Sequence, residues 1–430
     1  MEARLLLPVA VCVLFLMNEA YGQQWSRLVP STSIAPLPRR DATAIYDAVN
    51  HTMIVFGGRT WGGPVNEVWS FNLDSLRWTN LSPPPDSASP LPRFAHTAVF
   101  DPPTHKMFIW SGQGVAFFND AWAFDLTLHR WEKLFPVSGI IPEARYGSVA
   151  VYDPRNRRLV MFAGFTNSGR YNDSQAYDIQ TNGWIDLTPS GTKPAARCLH
   201  TAAYDAARHR MIMYGGQISG PIDDIWAFDL HDNTWTNLTP ATRPPGRYFA
   251  SSIYTDDRVF VFGGTTPTAL VNELWSFDLR DSTWLQVIVS GTIPPARTSH
   301  SAIYVPKDRS MIVFGGIGDS MYNDVWKLGG FVTSVQDGED RLPARIELCQ
   351  NYPNPFNPTT ELRFAIRDFG FVRLAVYDLL GREVVAIVDR ELGQGAYAYT
   401  WDARGMPSGA YFLRLQSNGS SISRKMLLQR

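Results

Sequence analysis

The sequence predicts an all-β chain, a six-bladed β-propeller closed by its N-terminal strand and followed by a small immunoglobulin-like β-sandwich. Three observations carry this prediction. One phrase of residues recurs six times at a period of 48 to 54 residues, its last word stands alone near the N-terminus, and the stretch after residue 344 replaces the period with short apolar runs between turn signals. A unit of that length buries its apolar face only against its neighbours, so six of them imply a ring.

Each copy reads Arg-x-x-(His)-x-Ala-x-Tyr/Phe, an apolar run ending at a glycine pair, Asn-Asp/Glu-x-Trp-x-Phe-x-Leu, and a closing Trp-x-x-Leu. The second copy shows four strand-like runs. Residues 96–100 alternate, 107–110 are continuously apolar as in a doubly buried strand, 122–126 alternate again, and 130–134 finish the unit. Period two places Trp122, Phe124 and Leu126 on one face, ready to pack against an adjacent blade.

The displaced word predicts how the ring closes. The sixth copy stops at Asn323-Asp-Val-Trp-Lys-Leu328 without its final Trp, whereas Trp25-Ser-Arg-Leu28 matches the words at Trp78, Trp131, Trp184, Trp235 and Trp284. Pairing the first strand beside the last removes two open sheet edges.

The second glycine of the pair is present in every copy, at Gly58, Gly112, Gly164, Gly216, Gly264 and Gly316, while the first becomes Ser111 and Ala163. The expectation is that only the second needs positive φ or close backbone approach and that the first need merely be small.

These residues resemble the kelch family, whose repeat carries a double glycine after a hydrophobic strand and two spaced aromatics. The resemblance spans residues 23–330. Departures are local: Gln175 stands where Trp is expected, and Ala42, Ser148 and Ala250 replace the His of His96, His200 and His300. A His that comes and goes in register reads as packing or hydrogen bonding rather than as a ligand.

Composition sets the compartment and excludes some partners. A formal charge of −1 leaves no basic stripe for nucleic acid. Residues 1–22 read as a secretory signal peptide, with Arg4 before an apolar stretch from Leu5 to Met17 and a small-x-small site at Ala20-Tyr-Gly22. No transmembrane segment is expected in the mature chain. Its two cysteines, Cys198 and Cys349, fall in different domains and read as free thiols.

A polar linker, residues 331–344, leads to a second domain over 345–430. Apolar runs at 362–366, 372–377, 384–388, 396–401, 410–415 and 422–428 predict an antiparallel sandwich. Its opening, Asn351-Tyr352-Pro353-Asn354-Pro355-Phe356-Asn357-Pro358, followed by Val376 to Gly381, Trp401-Asp402 and Ser408 to Phe412, resembles the C-terminal sorting domain of bacterial type IX secretion. The resemblance implies that this domain addresses a folded passenger to the outer-membrane export machinery. The expected destination is the medium or the outer-membrane surface, by way of the periplasm.

Candidate ligand-binding residues lie on the propeller. Arg39, Arg93, Arg145, Arg197, Arg247 and Arg297 recur in register near the expected central channel, where converging guanidinium groups suit a carboxylate. Each copy also carries an acid in register, Glu67, Asp120, Asp173, Asp224, Glu273 and Asp324, so the favoured expectation is six internal ion pairs. Loops between second and third strands add Trp61, Phe118, Tyr171 and Tyr322 among neutral polar residues, which suits sugar rings or extended peptides. No catalytic residue, metal ligand or cofactor is predicted. Copper-radical chemistry needs a cysteine with clustered His and Tyr, and the eight histidines are dispersed. The favoured function is a non-catalytic binding module for a glycan or protein. The alternative is a carbohydrate-active enzyme similar to kelch sialate mutarotases.

Overall fold

A computed structural model describes residues 23–331 and, beyond them, 346–348, 351, 353–366, 370–379, 381–392, 395–417 and 420–429. The expected signal peptide, most of the expected linker and Cys349 lie outside these residues. The chain divides into two compact units, 1–332 and 333–430.

Among the described residues of the first unit, six sheets follow one another, each with four antiparallel strands; sheet 3 adds the short strand Arg145–Tyr146, and sheet 6 adds Ser290–Gly291, parallel to its Gln24–Leu28 strand. Sheet 1 takes Thr43–Asp47, Thr52–Phe56, Val68–Asn72 and Arg77–Asn80, and sheet 2 takes Thr97–Asp101, Lys106–Trp110, Ala121–Asp125 and Arg130–Leu134. Sheets 3, 4 and 5 begin at Val149–Asp153, Thr201–Asp205 and Ser251–Thr255. Sheet 6 takes Ser301–Val305, Ser310–Phe314 and Val325–Gly329 from the end of the repeat region and Gln24–Leu28 from its start. That first strand runs antiparallel to Val325–Gly329, with Trp25 opposite Leu328 and Arg27 opposite Trp326.

Six apolar clusters join successive sheets, and one of them joins sheet 6 to sheet 1 through Val325, Phe314, Met53 and Phe71. The face bearing Trp122, Phe124 and Leu126 packs against Ile45, Ile54 and Phe56 of sheet 1, so each sheet presses its large residues onto the one before it. The fourth-strand tryptophans fix this relation. Trp131 packs at a steep angle on Phe56 with ring centroids 4.7 Å apart, Trp184 on Trp110 at 5.1 Å, Trp235 on Phe162 at 4.6 Å and Trp284 on Tyr214 at 4.9 Å. Trp78 meets Phe314 at 5.1 Å, and Trp25 meets Phe262 at 4.8 Å, in the position a sixth-repeat tryptophan would fill. Burying such a ring removes on the order of 200 Å² of apolar surface from water, which makes these contacts the main tie between sheets. The all-β arrangement fits a β-propeller.

The glycine pairs correct one expectation. Both positions have positive φ: the first lies at 64°, 67°, 58°, 68°, 64° and 66°, including Ser111 and Ala163, and the second at 92° to 120°. The first is ordinary left-handed backbone, which Ser or Ala enters at a cost of about 1–2 kcal/mol. The second lies beyond that region, and a Cβ there would stand about 2.7–2.9 Å from atoms of the adjoining loop, so glycine alone fits.

The second unit holds two antiparallel sheets around one core. Ile346–Leu348, Thr359–Ile366 and Gly395–Asp402 form one; Glu383–Leu392, Gly370–Tyr377, Gly409–Ser417 and Ser420–Leu428 form the other. Leu362, Phe364, Leu374, Val376, Leu413 and Met426 meet between them. The proline-rich opening is tied into this body. Phe356 is buried 5.4 Å from Trp401, Asn351 Nδ2 donates to Thr360 Oγ1 and the Pro353 carbonyl, and Asn354 Oδ1 accepts from Leu427 N–H on the last strand.

Candidate ligand-binding face

Each of the six arginines lies in the loop that enters the first strand of its sheet, with its side chain buried. Arg39 pairs with Glu67 at 2.6 Å, Arg93 with Asp120 at 2.7 Å, Arg145 with Asp173 at 2.6 Å, Arg197 with Asp224 at 2.5 Å, Arg247 with Glu273 at 3.0 Å and Arg297 with Asp324 at 2.7 Å. The arginine side chains are 0–1% exposed and the carboxylates 10–35%. Each guanidinium also donates to the carbonyl of the first residue of a glycine pair, as Arg39 Nη1 does to Gly57 at 3.1 Å.

The acid-x-Trp spacing explains itself here. The indole N–H two residues on turns back to the same carboxylate in Trp69, Trp122, Trp226, Trp275 and Trp326, at 2.7–3.0 Å. In the third copy Gln175 faces Asp186 instead. Burial alone would raise the carboxyls of Glu67, Asp120, Glu273 and Asp324, but hydrogen bonds from arginine and tryptophan, with the arginine charge, hold all four below the ordinary range.

The guanidinium groups therefore do not converge. Two cavities lie on the axis enclosed by the six first strands, of about 110 Å³ and 200 Å³, and neither is lined by any of the six arginines. The inner walls are small residues such as Ala44, Ala98, Ala150 and Ala202, with His96, His200 and His300. Around the narrower cavity runs a hoop of backbone. Ala95 N–H donates to the Asp41 carbonyl, Gly147 to Ala95, Leu199 to Gly147, Phe249 to Leu199, Ser299 to Phe249 and Asp41 to Ser299, at 2.7–3.0 Å, with φ between 50° and 65° at all six.

The histidines serve the walls. His96 Nε2 stands 2.7 Å from Thr43 Oγ1 and His300 Nε2 stands 2.8 Å from Ser251 Oγ, each across to the preceding sheet, while their rings meet Phe56 and Phe262 edge-on. The matching position for His200 is Val149, and neither nitrogen of His200 has a partner among the described residues. Burial, helped by the neighbouring arginine, lowers all three imidazoles to about 3.

Three of the four loop aromatics expected to meet ligand cover the arginines instead. Phe118 and Tyr322 each lie 4.4 Å beneath Arg93 and Arg297, and Tyr171 lies 5.2 Å beneath Arg145. Trp61 is separate from them and 75% exposed.

The candidate loops begin at the residues just after each second glycine, and sequence reasoning missed their partners, the residues just after each arginine. These two positions bridge one another as short antiparallel contacts, Arg40 to Arg59, Phe94 to Gln113, Tyr146 to Phe165, Cys198 to Gln217, Tyr248 to Thr265 and Thr298 to Ile317. They frame the end of the axis at the hoop. Over repeats 1 to 3 they are aromatic and cationic: Arg59 lies 5.4 Å over Phe94, Phe117 packs at 5.3 Å on Tyr146 and 6.1 Å on Phe165, and Arg170 lies 5.3 Å over Phe165. The signal available in sequence was variation at two fixed register positions flanked by invariant ones.

The comparisons with known proteins agree with this architecture. The model for the KLHDC2/KLHL20/DRC7 Kelch-repeats domain matches residues 11–134, 62–240 and 184–329, which together cover most of the chain. The chain belongs to the kelch-repeat family. A second model, the secretion system C-terminal sorting domain, matches residues 350–429 of this kelch protein. Curated relatives include Host cell factor homolog hcf-1 of Caenorhabditis elegans, 26% identical over 57% of this chain and 33% of that protein. A Drosophila melanogaster leucine-zipper-like transcriptional regulator 1 homolog is 25% identical over 69% and 31%, and bovine Kelch domain-containing protein 3 is 28% identical over 50% and 62%. The kelch protein thus spans about a third of the length of the first two relatives. Its C-terminal domain supports export, and among the described residues no helix is long and apolar enough to cross a membrane.

Proposed function

We propose that this kelch protein is an exported, non-catalytic binding module whose six sheets are the blades of one propeller closed by the N-terminal strand. Ligand meets the end of the axis framed by the loops of repeats 1 to 3, and the second domain carries the propeller to the type IX export machinery.

One observation carries the reading: all six arginines in register have their acid within ion-pair distance. An enzyme of the sialate-mutarotase kind needs arginine and carboxylate groups left free on the axis. Here the pairs are turned into the sheets, and the axial cavities are walled by small side chains. What is left for recognition is the rim, where aromatic and cationic side chains stand without a repeat partner.

Two experiments test this. A chain ending at residue 344 should fold and accumulate in the periplasm of a host with type IX export, since each unit has its own core. Normal export of that chain would overturn the sorting role. A glycan and peptide array probed with the full chain should give ligands that Phe117→Ala no longer binds, and anomerase or hydrolase activity on any captured sugar would overturn the non-catalytic reading.

A further inference from the structure

We infer that the rim of repeats 1 to 3 is a subsite for an acidic oligosaccharide whose carboxylates recur along the chain. The inference rests on the binding reading above and specifies its ligand.

The rim there forms a strip. Arg59 lies over Phe94 at one end; Phe94 bridges through its backbone to Gln113, and Gln113 to Phe117; Phe117 meets Tyr146 and Phe165; Arg170 lies over Phe165 at the other end. Phe117 and Phe165 meet at 86°, Tyr146 and Phe165 at 65° and Phe117 and Tyr146 at 37°; Phe94 is buried beneath Arg59, so the half-buried Phe117, Tyr146 and Phe165 supply the accessible ring surface. Aromatic surfaces of this kind take the C–H faces of sugars.

The cations decide the charge of the ligand. In the same loops Arg40 is neutralised by Asp41 at 2.9 Å, and Glu143 accepts from Ser168 Oγ at 3.0 Å and lies beside Tyr171. Arg59 and Arg170 have no carboxylate within ion-pair distance among the described residues. Arg170 Nε is buried without an acceptor, and its guanidinium touches the buried Cys198 thiol, which burial raises and Arg170 partly lowers again. Two guanidinium groups outside any ion pair, Arg170 against the Cys198 thiol and Arg59 near enough to Asp41 to lower in part a carboxyl that burial raises, stand at the ends of the aromatic strip and match carboxylates that recur rather than one terminal carboxylate.

The backbone decides between sugar and peptide. Phe94 and Gln113 exchange both hydrogen bonds, at 2.9 Å each, Arg40 and Arg59 do the same at 3.1 and 2.8 Å, and Tyr146 pairs with Phe165. These backbone groups are already taken and are not offered to an added peptide strand. Recognition falls to ring faces and charges, which an acidic sugar chain supplies.

The experiment uses the full chain and four probes: oligogalacturonate, its methyl ester, a neutral cello-oligosaccharide and oligoglutamate, by titration calorimetry at two salt concentrations. Oligogalacturonate should bind, with affinity falling about 10-fold or more on methyl esterification and in each of Arg59→Gln and Arg170→Gln. Arg170→Lys should retain part of the affinity, and all variants should melt with the parent. Equal binding of the methyl ester, an oligoglutamate affinity equal to that of the sugar, insensitivity to both arginine variants, or no binding of oligogalacturonate overturns the inference. Binding of the neutral sugar or of oligoglutamate that is lost in Phe117→Ala would spare the binding reading while removing the acidic sugar. Binding untouched by Phe117→Ala and by both arginine variants would remove the two together.

Discussion

Gly316 N–H donates to the carbonyl of Arg39 at 2.9 Å, so the last repeat is bonded to the first by the same contact that joins every other pair. Gly58 reaches Arg93, Gly112 reaches Arg145, Gly164 reaches Arg197, Gly216 reaches Arg247 and Gly264 reaches Arg297, all at 2.8–2.9 Å. The arginine thus has two duties. Its backbone accepts from the preceding repeat, and its side chain holds the acid of its own. Replacing the side chain removes the bonds within its own repeat, to the acid and to the glycine-pair carbonyl, and leaves the backbone bond to the preceding repeat in place.

Trp25→Ala should destabilise the first unit by about 3–5 kcal/mol, as much as Trp131→Ala, because each empties a fully buried site against the preceding sheet. Trp25→Phe should cost far less, since the Trp25 indole N–H has no acceptor to lose. Deleting residues 23–30 should add aggregation through the exposed edge of Val325–Gly329. Chemical denaturation with light scattering checks all three, and an unchanged midpoint for the deletion would remove the closing role of the strand.

Arg297→Ala should lower stability by about 3–5 kcal/mol, because Asp324, 10% exposed in the intact pair, keeps only the Trp326 indole as a side-chain hydrogen-bond donor. Arg297→Lys should restore little, since the fork that grips both carboxylate oxygens at 2.7 and 2.9 Å is lost. Ligand affinity should change only as far as folding does. A variant that melts like the parent yet loses binding would return the arginine ring to a ligand role.

Much of this was legible because strand period and repeat register are local properties of a chain. The four strand-like runs, the obligatory second glycine and the tryptophan displaced to residue 25 were all readable. Side-chain direction was legible only through charge, because an acid in register with every arginine favours the internal pairs. Register put the arginines near the axis, but whether they turn inward or back to Glu67 and its counterparts depends on the third strand, which lies about 27 residues on. The first glycine misled for another reason: Ser111 and Ala163 tolerate left-handed backbone, so their presence did not exclude it. Ile346–Leu348 was too short a strand to leave a pattern, and the half of the rim that follows each arginine was missed because its residues vary from repeat to repeat.

Acid should weaken the first unit in two windows. His96, His200 and His300 lie near 3 when folded and near 6.5 when unfolded, so between these values the unfolded chain binds more protons and stability falls as pH drops. Each contributes a slope of about 1.4 kcal/mol per pH unit. The depressed carboxyls of Asp120 and Asp324 act lower: their stabilisation is complete above the ordinary carboxylate range and is lost as pH falls below it. Denaturation between pH 6.5 and 4.5 should show a slope that lessens by about 1.4 kcal/mol per unit in His200→Gln. An identical slope in that variant would mean the imidazole is not held neutral.

Val149→Thr, at a half-buried position in the cavity wall, should stabilise the first unit. His96 and His300 each find a hydroxyl on the first residue of the preceding sheet, Thr43 or Ser251, whereas His200 meets Val149 and has both nitrogens unpartnered among the described residues. Threonine matches valine in shape, so the hydroxyl arrives without a cavity, and a hydrogen bond to a buried orphan is worth about 0.5–1.5 kcal/mol. Ala163 opposes the gain, because its methyl stands where Gly57 and Gly263 leave room for the rings of His96 and His300. The double variant Val149→Thr with Ala163→Gly should therefore gain more than Val149→Thr alone, and the excess over additivity reads the coupling between the two sites. Melting curves of the two single variants and the double suffice. A loss of stability in both Val149→Thr backgrounds would show that His200 is satisfied in another way.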